Sequence, residues 1–239
     1  MPLYPAQFNG AAIAGNGTVS GNLAVTGNET VGGSLGVTGT TTLGTANVTT
    51  AAVSGALAVS GNALGEDTPA RHGLVAWAYD PVIATTGLTL TGGTVYLSTV
   101  YVASSTNVTK LYWHVSTAAS GVTAGQNFVG LYDSTGARLA TINTDSVITG
   151  TGTMTTIIPS TAVTAGSFYW VAQVSNATTP YTTVRATGVT SVGTLVTVGQ
   201  TATAYRFAIN GTSQTSLPTS ITPASNTLST VGGPWVAIG

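Results

Sequence analysis

The 239-residue chain has 5% charged and 43% hydrophobic side chains, a formal net charge of −1 and no cysteine. This excludes a charge-solvated disordered chain, which combines low hydrophobicity with high net charge, and a disulfide framework. With five Lys and Arg in all, it also excludes a basic surface for nucleic acid. Solubility must then come from Thr, Ser, Gly and Asn. Thr and Val favour strands, because β-branched side chains suit a pleated surface, so the expected class is all-β.

The N-terminus, Met1-Pro2-Leu3-Tyr4-Pro5, has neither the basic nor the apolar stretch of a signal peptide. The longest apolar run, around Leu74 to Tyr79, is far shorter than the roughly 20 residues a membrane span needs. Synthesis in a cytosol without membrane insertion is the expectation.

A repeat follows. Gly15, Gly21, Gly27, Gly33 and Gly39 recur every six residues, with Val19, Val25, Val31, Val37 and Leu43 in register. Leu23 and Leu35 add an apolar position in alternate hexads, and the pattern fades from Thr45 to Ala52. It resumes out of phase with Val53, Leu57 and Val59. Each hexad has room for a short strand and a turn, in which glycine supplies close backbone approach. The aliphatic residues at alternating positions point to one face. About seven hexads would give a lone β-helix two or so coils, fewer than the roughly three repeats such stacks need. Three chains on a common axis would bury the same stripe at once. An intertwined homotrimeric β-helix or β-spiral shaft over residues 15–64 is therefore preferred to a single-chain β-helix. Its core would be Val19, Leu23, Val25, Val31, Leu35, Val37, Leu43, Val53, Leu57 and Val59.

Glu29 is the only charged side chain before Glu66. The charged, proline-containing run from Glu66 to Gly73 then reads as a linker over 65–73. From Leu74 on, strands are expected over Thr94 to Ala103, Val108 to Ser116, Phe128 to Tyr132, Ala137 to Ile142 and Phe168 to Ser175. Further strands are expected over Thr182 to Ala186, Leu195 to Val198, Ala204 to Ile209 and Pro234 to Ile238. Asp133-Ser134-Thr135-Gly136 has the chemistry of a hairpin turn. Turns at this spacing indicate a β-sandwich head over 74–239, closed as a jelly roll.

Two histidines, six acids and no cysteine leave little for catalysis. No metal-ligand spacing, calcium loop or phosphate loop is present, so neither catalytic residues nor a cofactor are expected. Alternation around His114 puts Leu111, Trp113 and Val115 on one face and Lys110, Tyr112 and His114 on the other. The first set reads as core. The second reads as a polar outer or inter-subunit face, and with Asn176 and Thr178 it is the candidate receptor contact. The loops Asn176 to Pro180 and Thr149 to Thr153 are the expected binding surfaces, because loops vary while a sandwich holds them. Trp77, Tyr79, Phe168 and Trp170 could stack on sugar rings, although core packing is the commoner role for such residues. The Asn-x-Thr triplets, as at Asn16, Asn107 and Asn210, are expected by composition alone.

The run Gly21-Asn-Leu-Ala-Val-Thr-Gly27 through Gly33-Ser-Leu-Gly-Val-Thr-Gly39 resembles the shaft repeats of tailed-bacteriophage fibres and related trimeric adhesins. Gly130 to Ala140, Ala165 to Ala172 and Pro234 to Gly239 look like segments of the jelly-roll heads of phage minor tail and head-fibre proteins. The resemblance implies a homotrimeric structural protein at the virion surface, on tail or capsid. Residues 1–14, with Tyr4, Pro5 and Phe8, would be the attachment peptide that docks on other virion proteins. The head would meet host-surface glycan. The alternatives are a purely structural decoration protein, a bacterial trimeric adhesin and an ice-binding type of β protein. A hexapeptide acyltransferase would need a histidine in the repeat, which has none.

Overall fold

The computed structural model describes residues 30, 31, 34, 36–38, 42, 67–186, 197–229 and 231–239. The chain divides into two units, Met1–Leu57 and Ala58–Gly239. In the first, Val31 and Val37 are exposed on the single chain, at 45% and 52%. The other eight shaft positions, Val19, Leu23, Val25, Leu35, Leu43, Val53, Leu57 and Val59, lie outside the described residues, as do Tyr4, Pro5 and Phe8.

The second unit is all-β. Its strands are β1 (Ala76–Trp77), β2 (Thr86–Thr89), β3 (Tyr96–Tyr101), β4 (Thr106–Thr117), β5 (Ser120–Val122), β6 (Phe128–Asp133) and β7 (Arg138–Asn143). They continue as β8 (Gly152–Val163), β9 (Phe168–Val174), β10 (Ala177–Thr179), β11 (Thr182–Arg185), β12 (Phe207–Ile209), β13 (Thr227–Leu228) and β14 (Val236–Ile238). Short three-ten turns are the only helical segments among the described residues.

Every strand pairing is antiparallel. The first sheet is built on β4, with β8 along one side and β14 and β11 end to end along the other. Beyond these two lie β1 against β14 and β2 against β11. The second sheet runs β13-β12-β3-β9-β6-β7, and β5 and β10 form a separate ribbon. The chain goes out through β3, β4 and β6 and returns through β7, β8 and β9. Its pairings are nested: β6 with β7, β4 with β8, β3 with β9.

Alternation explains the inner core. Leu111, Trp113 and Val115 of β4 are buried, as expected, against Val129, Leu131, Val171 and Phe207 of the second sheet. Full burial of such side chains stabilises by about 1.5–3 kcal/mol each. The second sheet is buried on its other face too. There Leu97, Tyr132, Trp170 and Ala172 are covered by Leu217 and Ile221, from the excursion that follows β12. This is why Phe168–Val174 reads as a continuous apolar run and not as an alternating one.

Four expectations need correction. The stretch expected as a loop from Asn176 to Pro180 contains a strand, β10, which pairs with β5. Thr153 is not in a loop: it belongs to the long strand β8, which the sequence hides behind Pro159 and many threonines. Proline is admissible there because β8 is an edge strand, and its pairing with β4 slips between Val108 and Lys110. Residues 197–199 form a turn, although Val198 was expected to end a strand. Ala204 closes a three-ten turn, and the strand expected from it begins only at Phe207.

Candidate functional site

The polar face of β4 gathers three of the five residues singled out as receptor contacts. Lys110 is exposed, and Tyr112 and His114 are half-buried. The register aligns Thr155, Tyr112, Ala237 and Trp77 in one row across the sheet, so Trp77 shares this outer face. His114 lies with Nδ1 3.3 Å from the Thr153 hydroxyl, at a small cavity of about 250 Å³ that Trp235 and Val184 also line.

Asn176 and Thr178 are not part of that face. Asn176 precedes β10 and Thr178 lies within it, in the ribbon with β5. The Asn176 amide donates to the carbonyls of Gln126 at 3.2 Å and Gln214 at 2.8 Å. Both of its donors therefore serve the fold. Thr178 is exposed, directly over Gly121, where an added Cβ would sit 2.7 Å from the threonine Cβ.

A larger cleft lies elsewhere, between the edge strand β1 and the end of β3. Phe207 pairs with Ser98, and β12 goes no further. Past that point the edge of β3 is met by the chain just before β12, through Thr99 N–H to the Arg206 carbonyl at 2.9 Å. The opening left there is a cavity of about 520 Å³, lined among others by Trp77, Asp80, Thr99, Tyr101, Gln200 and Arg206. That volume lies within the range typical of small-molecule sites.

Each wall of the cleft is fixed by the fold. Tyr101 is 64% exposed, yet its hydroxyl donates to the Gly166 carbonyl at 2.9 Å, which restrains the ring. Trp77 packs against the His72 ring at 5.2 Å, and His72 Nε2 is in turn held 2.9 Å from the Asp67 carboxylate. Asp80 caps the three-ten turn Pro81–Ile83 by accepting from Val82 N–H through Oδ1 at 2.8 Å.

Arg206 is the unusual wall. Its Nη2 donates to the Ala78 carbonyl at 2.6 Å, and its guanidinium lies 5.6 Å from the centre of the Phe207 ring. Burial pulls its pKa below the usual arginine value, and the neighbouring Tyr79 partly offsets this. Tyr79 itself is pushed well above the usual phenol range by burial. No carboxylate of a described residue lies within 4.0 Å of the Arg206 guanidinium, although Asp80 lines the same cleft. A half-buried arginine without an acidic partner is costly to hold.

Trp77 is the one side chain of this cleft, apart from its neighbour Tyr79, that carries a sequence-level hint of ligand contact. Tyr101 and Arg206 stand more than a hundred residues apart in the chain, and no local pattern joins them. Among the described residues, no three His, Cys, Asp or Glu side chains gather as a metal site. No helix among them is long and apolar enough to cross a membrane. No protein-family model matches the chain, and no curated protein does so either.

Proposed function

We propose that this protein is a homotrimeric fibre of a virion surface, on tail or capsid, whose β-sandwich head attaches to host-surface glycan. The observation that carries this reading is the six-residue glycine repeat with its aliphatic stripe, which one chain is too short to bury by itself. The exposure of Val31 and Val37 on the single chain agrees with a stripe that other copies cover. The head is of jelly-roll type in this reading, supported by the nested pairing of β3 with β9, β4 with β8 and β6 with β7.

The fibre works by avidity. Three weak sites on one head, and many fibres on one particle, raise effective affinity without a strong single contact. Residues 1–14, with Tyr4, Pro5 and Phe8, dock the fibre on other virion proteins, and the shaft holds the head away from that surface. A head made soluble by hydroxyl and amide groups suits this place, because identical faces meet around a three-fold axis without repulsion.

Light scattering on the full chain tests the assembly. The expected mass is three times the 23.7 kDa of one chain. A monomer at micromolar concentration would overturn the shared shaft. Removing residues 1–14 should abolish incorporation into particles and leave the trimer intact. Full incorporation without them would show that attachment lies elsewhere.

A further inference from the structure

The cleft between β1 and the end of β3 holds one of the five Lys and Arg residues of the chain beside the aromatic residues Trp77 and Tyr101. Trp77 is packed against the His72 ring, and Tyr101 is hydrogen-bonded to the Gly166 carbonyl. Beside them stands the Arg206 cation, with no acidic partner among the described residues. We propose that this cleft binds a saccharide unit that carries a carboxylate. The inference rests on the adhesive half of the reading above and names its ligand class; it does not depend on the shaft.

The chemistry assigns a task to each wall. A pyranose ring presents an apolar face of C–H bonds, which stacks on an exposed aromatic ring. Tyr101 offers such a ring, restrained by its bond to the Gly166 carbonyl, which reduces the side-chain entropy lost on binding. Arginine pairs with carboxylates through parallel N–H···O bonds. Among the described residues the Arg206 Nε and Nη1 make no hydrogen bond, and these are the donors such pairing would use. Asp80 has one oxygen engaged by Val82 N–H, and the other, which makes no hydrogen bond to described residues, would accept from a sugar hydroxyl. Gln200 accepts the Arg206 N–H through Oε1 at 3.1 Å, which leaves its amide N–H groups to donate. A neutral sugar would leave the guanidinium unpaired, and a bare anion would leave the aromatic rings unused.

The test is a titration of the full chain, followed by tryptophan fluorescence and calorimetry. The ligands are oligomers of glucuronic acid, matched neutral oligomers of glucose, and inorganic phosphate. The uronate oligomer should bind, with affinity falling at least tenfold for Arg206→Lys and for Tyr101→Ala. Tyr101 is exposed, so its variant should keep the parent thermal midpoint and decides the matter even if the Arg206 variant fails to fold. Equal binding of uronate and glucose oligomers would overturn the role of the arginine. Equal binding of phosphate, unaffected by Tyr101→Ala, would reduce the cleft to an anion site and overturn the saccharide. Silence toward all three overturns the proposal. If the trimer persists in that case, the shaft stands; if other glycans still bind to Tyr101→Ala, adhesion stands at a different surface.

Discussion

Asn127 donates through Nδ2 to the Asp145 Oδ1 at 2.8 Å, and this bond is the centre of a saturated polar knot. The same amide donates to the Thr123 carbonyl at 2.9 Å. Its Oδ1 accepts from Ser175 Oγ at 2.9 Å and from Asn176 N–H at 2.7 Å. An asparagine side chain has two donor hydrogens and two acceptor lone pairs, and all four are used here. One fully buried side chain thus joins the turn before β6, the loop after β7 and the end of β9. Asn127→Ala would strand Ser175 Oγ, Asn176 N–H and one Asp145 oxygen. We expect it to cost about 3 kcal/mol, read as a lowered denaturation midpoint with unchanged slope. A loss below about 0.5 kcal/mol would place it among ordinary surface substitutions and refute the knot.

Asp145 makes this region sensitive to acid. Burial works against its charged form. The Gly125 N–H, at 2.6 Å, and the Asn127 amide outweigh that, with a smaller contribution from Asn143, and hold the carboxyl below its usual value. A lowered folded-state value means that the contribution is complete above the ordinary carboxylate pKa. It is lost as pH falls through the lowered value. Stability measured by chemical denaturation should therefore decline below about pH 4. Asp145→Asn should flatten that decline while it lowers stability at neutral pH. A parallel pH profile in the variant would show that other carboxylates govern acid unfolding.

What the sequence made legible depended on how local the physics was. Leu111, Trp113 and Val115 could be assigned to the core because one strand's alternation decides their face. The hairpin at Asp133 was legible because its chemistry sits within five residues. The Asp133 carboxylate accepts from Thr135 N–H, Thr135 Oγ1 and Ala137 N–H. Strand β8 was hidden because an edge strand tolerates Pro159 and needs only Thr156, Ile158 and Val163 to face inward. The cleft was hidden for a different reason. Trp77, Tyr101 and Arg206 meet only after β1, β3 and the segment before β12 have been placed by pairings that no short pattern announces.

Gly233 shows how tightly that region is packed. A Cβ there would fall 2.9 Å from the Phe207 Cγ and 2.9 Å from the Ser98 hydroxyl. Neither can yield easily. Phe207 is held edge-on by Tyr79 at 5.8 Å, and Ser98 Oγ donates to the Pro234 carbonyl at 2.7 Å. Gly233→Ala should destabilise by about 1–3 kcal/mol through overpacking. Gly166→Ala meets open space and bears only the strain of φ +76°, about 1–2 kcal/mol. Thermal unfolding separates the two mechanisms when combined with Phe207→Leu. That change should recover part of the Gly233→Ala loss and none of the Gly166→Ala loss.

Leu217 tests whether the outer core belongs to the fold or merely decorates it. The residue is 1% exposed and packs over Gly130, where an added Cβ would lie 2.8 Å from its Cδ1. The segment that carries it is bonded to the second sheet by Arg138 N–H to Thr219 O at 3.1 Å and by Ile221 N–H to Gly136 O at 2.8 Å. The Tyr132 hydroxyl, pushed by burial up to about 12, adds a bond to the Pro218 carbonyl at 2.6 Å. These bonds seal Leu97, Trp170 and Ala172 from water, so the sheet cannot lose its cover without exposing its own central strand. Leu217→Ala should therefore lower global stability by about 2–4 kcal/mol. Exchange of the amides in β9 should accelerate together with that of Ile221. If Ile221 alone accelerated while the unfolding midpoint held, the excursion would be a detachable flap and the sheet stable without it.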